Sequence, residues 1–302
     1  MQTGQPGGEG PGQWRTAAEQ AGLAVAGLEA IIAAALAEDL DGGVDITSTA
    51  TVAAEQRCVV DLVSRQDGVL AGGFVAAAVF DIVSGGGCAI ERPVPDGSRI
   101  RAGTVVLSVS GPTRAILTAE RTALNLLGHL CGVATLTAAW AEALAGTEAR
   151  VRDTRKTMPG LRSLQKYAVR CGGGANHRMG LYDQALVKDN HAAAAGGVAA
   201  AYLAVRERYP DAAVEVEVDS LEQLREVLAA GAAQVLLDNF GIEELRSAVA
   251  LTAGRAVLEA SGGLTLASAA AVAATGVDFI AVGALTHSAA VLDIGADYRQ
   301  EA

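Results

Sequence analysis

VEVEVDSLEQLREVLAAGAAQVLLDNF, residues 214–240, reads as a strand, a helix and a second strand in succession. Val214–Val218 and Val235–Asp238 are short apolar runs that end in polar residues. Between them Ser220–Ala230 has a helical pattern, with Ser220 where an N-cap belongs and Gly231 where the helix should stop. The same beat continues at Ala256–Glu259 and Phe279–Val282, with starts roughly 21 residues apart, the length of one strand–helix repeat. Helical patterns at Ile242–Leu251 and Thr265–Ala274 fill the intervals, with Thr265 as N-cap and Gly276 as stop. Two earlier strands, near Ala149–Asp153 and Gln184–Lys188, bring the series to six. Strands alternating with helices imply a parallel sheet. A small βα barrel is the favoured closure, and an open doubly wound sheet shares the pattern.

The region before it has another texture. A helical stretch, Leu23–Leu40, is followed by β-like runs at Cys58–Val63, Val69–Leu70 and Thr104–Val109, punctuated by turns at Asp67-Gly68, Asp96-Gly97 and Ala102-Gly103. This reads as a compact α+β domain, followed by a helix from about Thr113 to Leu130 behind Pro112. Residues 1–15 are Gly- and Pro-rich at their start and are expected to be disordered.

Of 302 residues 51% are apolar, ample for a core, whereas aromatics make up 4%, which disfavours a base-stacking surface. The net charge of −11 disfavours nonspecific binding to nucleic acid. Cys58, Cys88, Cys131 and Cys171 form no C-x-x-C pair, so neither a zinc site nor a disulfide framework is expected, and a reduced, cytoplasmic compartment fits best. Ala21–Leu36 is apolar but short and broken by Glu29; it reads as neither a membrane span nor a signal peptide.

Against this acidic background, Arg150, Arg152, Arg155, Lys156, Arg162, Lys166, Arg170, Arg178 and Lys188 crowd one stretch, opposed only by Asp153 and Asp183. Like charges repel, so a small, highly anionic ligand is the simplest reason to collect them. A βα barrel places its chemistry at the C-terminal ends of its strands. Here those ends carry Arg155-Lys156, Lys188, Glu217, Asp238, Glu259 with Ser261-Gly262-Gly263, and Gly283. Cations come first, acids follow, and the last ends are Gly-rich, suited to cradling phosphate through backbone N–H groups. A phosphorylated substrate with a divalent ion nearby would fit. Simpler readings stand beside these: Glu217 and Asp238 could cap the following helices, Ser261-Gly262-Gly263 could be only a tight turn, and His177 could be structural. The neighbouring Arg178 and Gly172-Gly173-Gly174 favour a ligand loop for His177, while His129, His191 and His287 are read as structural. Glu38, Asp39, Asp41 and Asp45 read as a helix-ending loop rather than a metal site.

The run DTRKTMPGLRSLQKYAVRCGGGANHRMGLYDQALVKDNH, Asp153–His191, resembles the signature of the quinolinate phosphoribosyltransferase family. Glu120–Asn125, EVEVDSLEQL from Glu215, LLDNF ending at Phe240, LEASGGL from Leu258, Ala281-Val282-Gly283 and DIGADY from Asp293 also match, so the resemblance covers about Ala34–Tyr298. It implies an N-terminal α/β sandwich, residues 16–128 completed by 288–302, and an incomplete six-stranded βα barrel, residues 129–287. It also implies a homodimer in which Arg121 reaches the partner's active site. The implied reaction joins quinolinate to phosphoribosyl pyrophosphate, giving nicotinate mononucleotide, pyrophosphate and carbon dioxide, a step of NAD biosynthesis.

By the same resemblance Arg155, His177, Arg178 and Lys188, with the partner's Arg121, hold the two carboxylates of quinolinate. Lys156 faces pyrophosphate. Glu217 and Asp238 hold ribose hydroxyls, Mg²⁺ or both, and stabilise the developing positive charge. Ser261, Gly262, Gly263 and Gly283 receive the 5′-phosphate. No general base is implied, because loss of the C2 carboxylate beside an alkylated ring nitrogen needs none; the proton then comes from water or Lys156. A same-fold paralogue with another acceptor, a nicotinate phosphoribosyltransferase and a non-catalytic phosphate-binding barrel are the alternatives. The dicarboxylate cations, together with Glu217 and Asp238, argue against each.

Overall fold

The computed structural model describes residues 12–300. They form two compact units. The first comprises the chain up to Leu136 with Pro159–Gly172 and the segment from Ala289; the second comprises Thr137–Met158 and Gly173–Ser288.

In the first unit a four-stranded antiparallel sheet runs in the order Ile294–Gln300, Arg57–Ser64, Val105–Pro112, Ala89–Glu91. Cys58, Val60 and Leu62 lie on the buried face of the second of these strands, the period-2 pattern of a half-buried strand. The helix Gly73–Ser84 is buried from Gly73 to Asp81, which its near-continuous apolar sequence permits. Residues 1–11 of the expected disordered tail lie outside the described residues, but its end does not behave as a tail. Gln13–Gln20 is a helix, with Trp14 only 2% exposed and its indole Nε1 donating to Asp81 Oδ2 at 2.8 Å. A buried indole with a satisfied N–H anchors that turn. The helix Thr113–Ala143 runs well past Leu130 and links the two units. It is long and apolar enough to cross a membrane, yet two-thirds of its apolar window (67%) is buried, as in a core helix.

The second unit is built on six strands, β1 (Arg150–Arg152), β2 (Ala185–Val187), β3 (Val214–Val218), β4 (Gln234–Asp238), β5 (Val257–Ser261) and β6 (Phe279–Ala281). All pairings are parallel, in the order β1-β6-β5-β4-β3-β2. Helices Leu221–Ala229, Ile242–Thr252 and Leu266–Ala273 connect successive strands from β3 to β6. Ser220 and Thr265 accept from the backbone N–H of Gln223 and Ser268 as N-caps, and Gly231 and Gly276 adopt left-handed φ of 90° and 94°.

Side chains decide between barrel and open sheet. In a flat sheet β1 and β3, four places apart, would be separated by about 19 Å. Instead Arg152 Nη1 of β1 lies 2.7 Å from Glu259 Oε2 of β5 and 3.9 Å from Glu215 Oε1 of β3. The sheet is therefore curled, and alternate strands β1, β3 and β5 send side chains to one interior layer, as in a βα barrel. The free edge of β1 is partly covered by Ala175, which bridges Arg152 in parallel.

Candidate active site

At the C-terminal ends of these strands is a cavity of about 460 Å³. Its wall includes Arg155, Lys156, Arg178 and Lys188 as cations and Glu217, Asp238 and Glu259 as acids, with Thr154, His177 and Ser261. Leu186, Leu236 and Ala281 of β2, β4 and β6 supply an apolar surface. Four cations in a wall that also carries apolar side chains suit a flat, anionic molecule.

The nine clustered cations do not share this site. Arg162, Lys166 and Arg170 lie on the helix Arg162–Cys171, which belongs to the first unit, and Lys166 is fully buried there. Helical periodicity turns the same segment into an amphipathic element, so closeness in sequence does not become closeness in space. Arg150 begins β1 and Arg152 pairs with Glu259 in the barrel interior, so four cations remain at the cavity. Among them Arg155 has its Nε buried with no hydrogen-bond partner. Arg178 Nη1 donates to the carbonyl of Gln184 at 3.0 Å. Burial, followed by repulsion from Arg155, lowers the pKa of the Arg178 guanidinium, while Asp183 and Glu215 oppose the change. Two guanidiniums that repel each other in a part-buried wall call for an anion between them. Lys188 Nζ bonds Glu217 Oε2 at 2.5 Å. Lys156 is exposed, on a loop held where its carbonyl accepts from Thr286 Oγ1 at 2.8 Å and its N–H bonds Thr154 Oγ1 at 3.0 Å.

Behind His177 is a buried polar layer. Its Nε2 stands 2.9 Å from Glu215 Oε2 and 3.6 Å from Glu259 Oε1, and its Nδ1 accepts the Arg178 N–H at 2.7 Å. His177 thus lines the cavity with Nδ1 bonded within its own loop and Nε2 turned toward two buried carboxylates. Arg152 completes the layer, its guanidinium 4.6 Å from the centre of the Phe279 ring. Burial first, then the neighbouring charge of Glu215, pushes the Glu259 carboxyl up to about 7, against the pull of His177 and Arg152. His177, Glu215 and Glu259 form a set of close ligand atoms. The Arg152 guanidinium already occupies the carboxylates as their cation.

Gly262 and Gly283 at the strand ends leave no room for a side chain. Gly262 has φ +99° and Gly263 φ +60°, and a Cβ on Gly262 would come within 2.1 Å of Asn239 Oδ1. On Gly283 a Cβ would meet Lys156 Cδ at 2.9 Å. Of these four positions only Ser261 lines the cavity wall. Arg121 is exposed on the helix Thr113–Ala143 and is not part of the wall. The sequence placed Arg152 only among the clustered cations and Asp153 only among the acids opposing them, and it gave Glu215 and Asn239 no role of their own. The spacing of Glu215 and Glu217 was the available signal, since residues two apart on a strand face the same side, here the barrel interior.

Comparison with known proteins agrees with this geometry. The family models described as "Quinolinate phosphoribosyl transferase" match with the N-terminal domain at residues 45–131 and the C-terminal domain at residues 133–297. The "Nicotinate-nucleotide pyrophosphorylase [carboxylating]" of Mycobacterium leprae is 54% identical over 209 residues, 69% of this chain and 74% of that protein. The solved nicotinate-nucleotide pyrophosphorylase of Francisella tularensis superposes with a TM-score of 0.86 at 38% identity, covering 90% of this chain and 96% of that one. NadC from Streptococcus pyogenes gives a TM-score of 0.87 at 39% identity, covering 92% and 99%. The chain belongs to the quinolinate phosphoribosyltransferase family.

Proposed function

We propose that the chain transfers the phosphoribosyl group of phosphoribosyl pyrophosphate to quinolinate with loss of carbon dioxide, giving nicotinate mononucleotide and pyrophosphate. The observation that carries this reading is the pair of mutually repelling guanidiniums, Arg155 and Arg178, with Arg155 Nε buried and unpartnered. Quinolinate carries two adjacent carboxylates on a flat ring. The carboxylates answer Arg155, Arg178 and Lys188, with His177 beside them, and the ring face lies against Leu186, Leu236 and Ala281.

Bidentate guanidinium contacts hold the carboxylates in plane and aim the ring nitrogen at ribose C1. The nitrogen lone pair forms the new C–N bond as the C1–O bond to pyrophosphate breaks. Glu217 and Asp238 face the positive charge that grows on the ribose, and Lys156 faces the departing pyrophosphate. The C2–carboxylate bond then breaks; its electron pair stays on C2 beside the cationic nitrogen and takes a proton from water or Lys156. Ser261, Gly262, Gly263 and Gly283 receive the 5′-phosphate. As hard oxygen donors on one wall, Glu217 and Asp238 also fit Mg²⁺, which when bound neutralises charge on pyrophosphate. The active form is a homodimer in which the partner's Arg121 completes the dicarboxylate site. Four cysteines, three of them buried, with no C-x-x-C pairing fit the cytoplasm.

The test is product formation from phosphoribosyl pyrophosphate and Mg²⁺ with quinolinate or nicotinate as acceptor. Carbon dioxide and nicotinate mononucleotide with quinolinate, and no product with nicotinate, is the expected result. Bound phosphoribosyl pyrophosphate without product from quinolinate would mean another acceptor.

A further inference from the structure

We infer that Glu215 is a positioning residue for the anion pocket: it fixes the ring of His177, and the fixed ring sets the direction in which Arg178 leaves its loop. The inference rests on the reading of the cavity as a quinolinate site.

The loop is pinned from two sides. On one, Asp153, which is fully buried, accepts the His177 backbone N–H at 2.8 Å and Asn176 Nδ2 at 2.6 Å. On the other, the His177 ring stands 2.9 Å from Glu215. A ring that accepts the Arg178 N–H at Nδ1 carries its proton on Nε2, and Nε2 faces Glu215. The bond from Arg178 therefore requires this tautomer, and the 2.9 Å contact with the Glu215 carboxylate favours the ring orientation that turns Nε2–H toward it. The other tautomer would set a lone pair against a carboxylate and an N–H against the Arg178 N–H, and a flipped ring would put a C–H at both places.

Glu215 is itself 1% exposed, and water does not hold it. A buried carboxylate is costly unless its geometry is fixed and its charge answered. Arg152 answers the charge, bonding Glu259 at 2.7 Å and standing 3.9 Å from Glu215, and its Nε reaches the Asn176 carbonyl at 3.4 Å. Arg152 thus ties the carboxylate layer to the same loop. What leaves this scaffold toward the cavity is the guanidinium of Arg178, the residue after His177. A one-residue lever of this kind converts a ring rotation into misalignment of a bidentate contact.

The test compares Glu215→Ala and Glu215→Gln with the wild type. The expected result for Glu215→Ala is a KM for quinolinate raised about tenfold, with KM for phosphoribosyl pyrophosphate changed less than about twofold. Glu215→Gln keeps an acceptor oxygen and should hold the rise to about threefold. Long-range ¹H–¹⁵N correlation of the imidazoles, with His177 assigned through its alanine variant, should show the Nε2–H form alone in the wild type and a mixture in Glu215→Ala. An unchanged KM for quinolinate, equal rises for both substrates, or a wild-type His177 protonated on both nitrogens overturns the inference. Should Glu215→Ala fail to fold, Glu215→Gln decides, and an unchanged KM overturns it. If the wild type makes no product, the functional reading fails. The spectrum still judges the geometry, and an Nε2–H form that persists alone in Glu215→Ala defeats it.

Discussion

Gly262 has no room for a side chain. Its φ of +99° is a region L residues rarely adopt, and a Cβ there would lie 2.1 Å from Asn239 Oδ1 and 2.9 Å from Asn239 N. Asn239 is itself left-handed, at φ 60°; its N–H donates to the Ser261 carbonyl at 2.9 Å and its Nδ2 to Asp238 Oδ2 at 2.8 Å. Glycine, asparagine and the Asp238 carboxylate thus form one fixed unit between the ends of β4 and β5. Gly262→Ala should therefore disturb both stability and the site. We expect a loss of about 2 kcal/mol from backbone strain and displaced Asn239. The accompanying fall in Tm is about 5 °C, measured by thermal unfolding. KM for phosphoribosyl pyrophosphate should rise about tenfold, more than that for quinolinate. An alanine enzyme with wild-type Tm and KM would show that the loop relaxes freely. Gly262 was legible in the sequence as a glycine at a strand end, but Asn239 was not. LLDNF reads as a strand end, and only the backbone conformation shows what its asparagine holds.

Among elements, the clearest local signals survived folding. Strand β3 matches the expected Val214–Val218 at both ends, and Ser220, Thr265, Gly231 and Gly276 cap and stop their helices where the sequence put them. The helix Gly73–Ser84 escaped notice because it is apolar on nearly every side, so no periodic stripe marks it. Asp45 also took on a specific role. The acidic turn around it does end the helix Val25–Leu40, with Asp41 left-handed at φ 44°. Asp45 then begins the next helix, Ile46–Thr51, its Oδ1 accepting the Ser48 N–H at 2.9 Å. The bonds from Ser48 lower the Asp45 pKa below its ordinary value of 3.8 despite some burial. A depressed carboxylate contributes stability above its unfolded pKa and loses it as pH falls through the folded one. Asp45→Ala should cost about 1 kcal/mol at neutral pH, and Asp45→Asn, an equally good cap, much less. The gap between aspartate and alanine should narrow once the pH drops below 3.8, as denaturant unfolding at several pH values would show. A constant gap would mean the charge contributes nothing there.

At the scale of the molecule, a chain with net charge −11 still gathers four cations around one cavity. The dense run of basic residues exaggerated that pocket, because residues 159–172 pack into the first unit. Composition could not show which cations a helix would carry away. Arg121 poses the complementary question: it is exposed, it is not part of the cavity wall, and it is proposed to act on a second copy of the chain. Symmetry makes this decidable. In a two-fold dimer each site would combine Lys156 of one protomer with Arg121 of the other. Arg121→Ala and Lys156→Ala should each be nearly inactive as homodimers. When the two variants are unfolded together and refolded at equal concentrations, half of the dimers are mixed. In a mixed dimer one site then lacks both Lys156 and Arg121, while the other has Lys156 and receives the intact Arg121 of the Lys156→Ala protomer. One intact site in half of the dimers gives about a quarter of wild-type activity. If Arg121 served its own protomer's site instead, every site in every mixed dimer would lack one residue, and mixing would restore nothing.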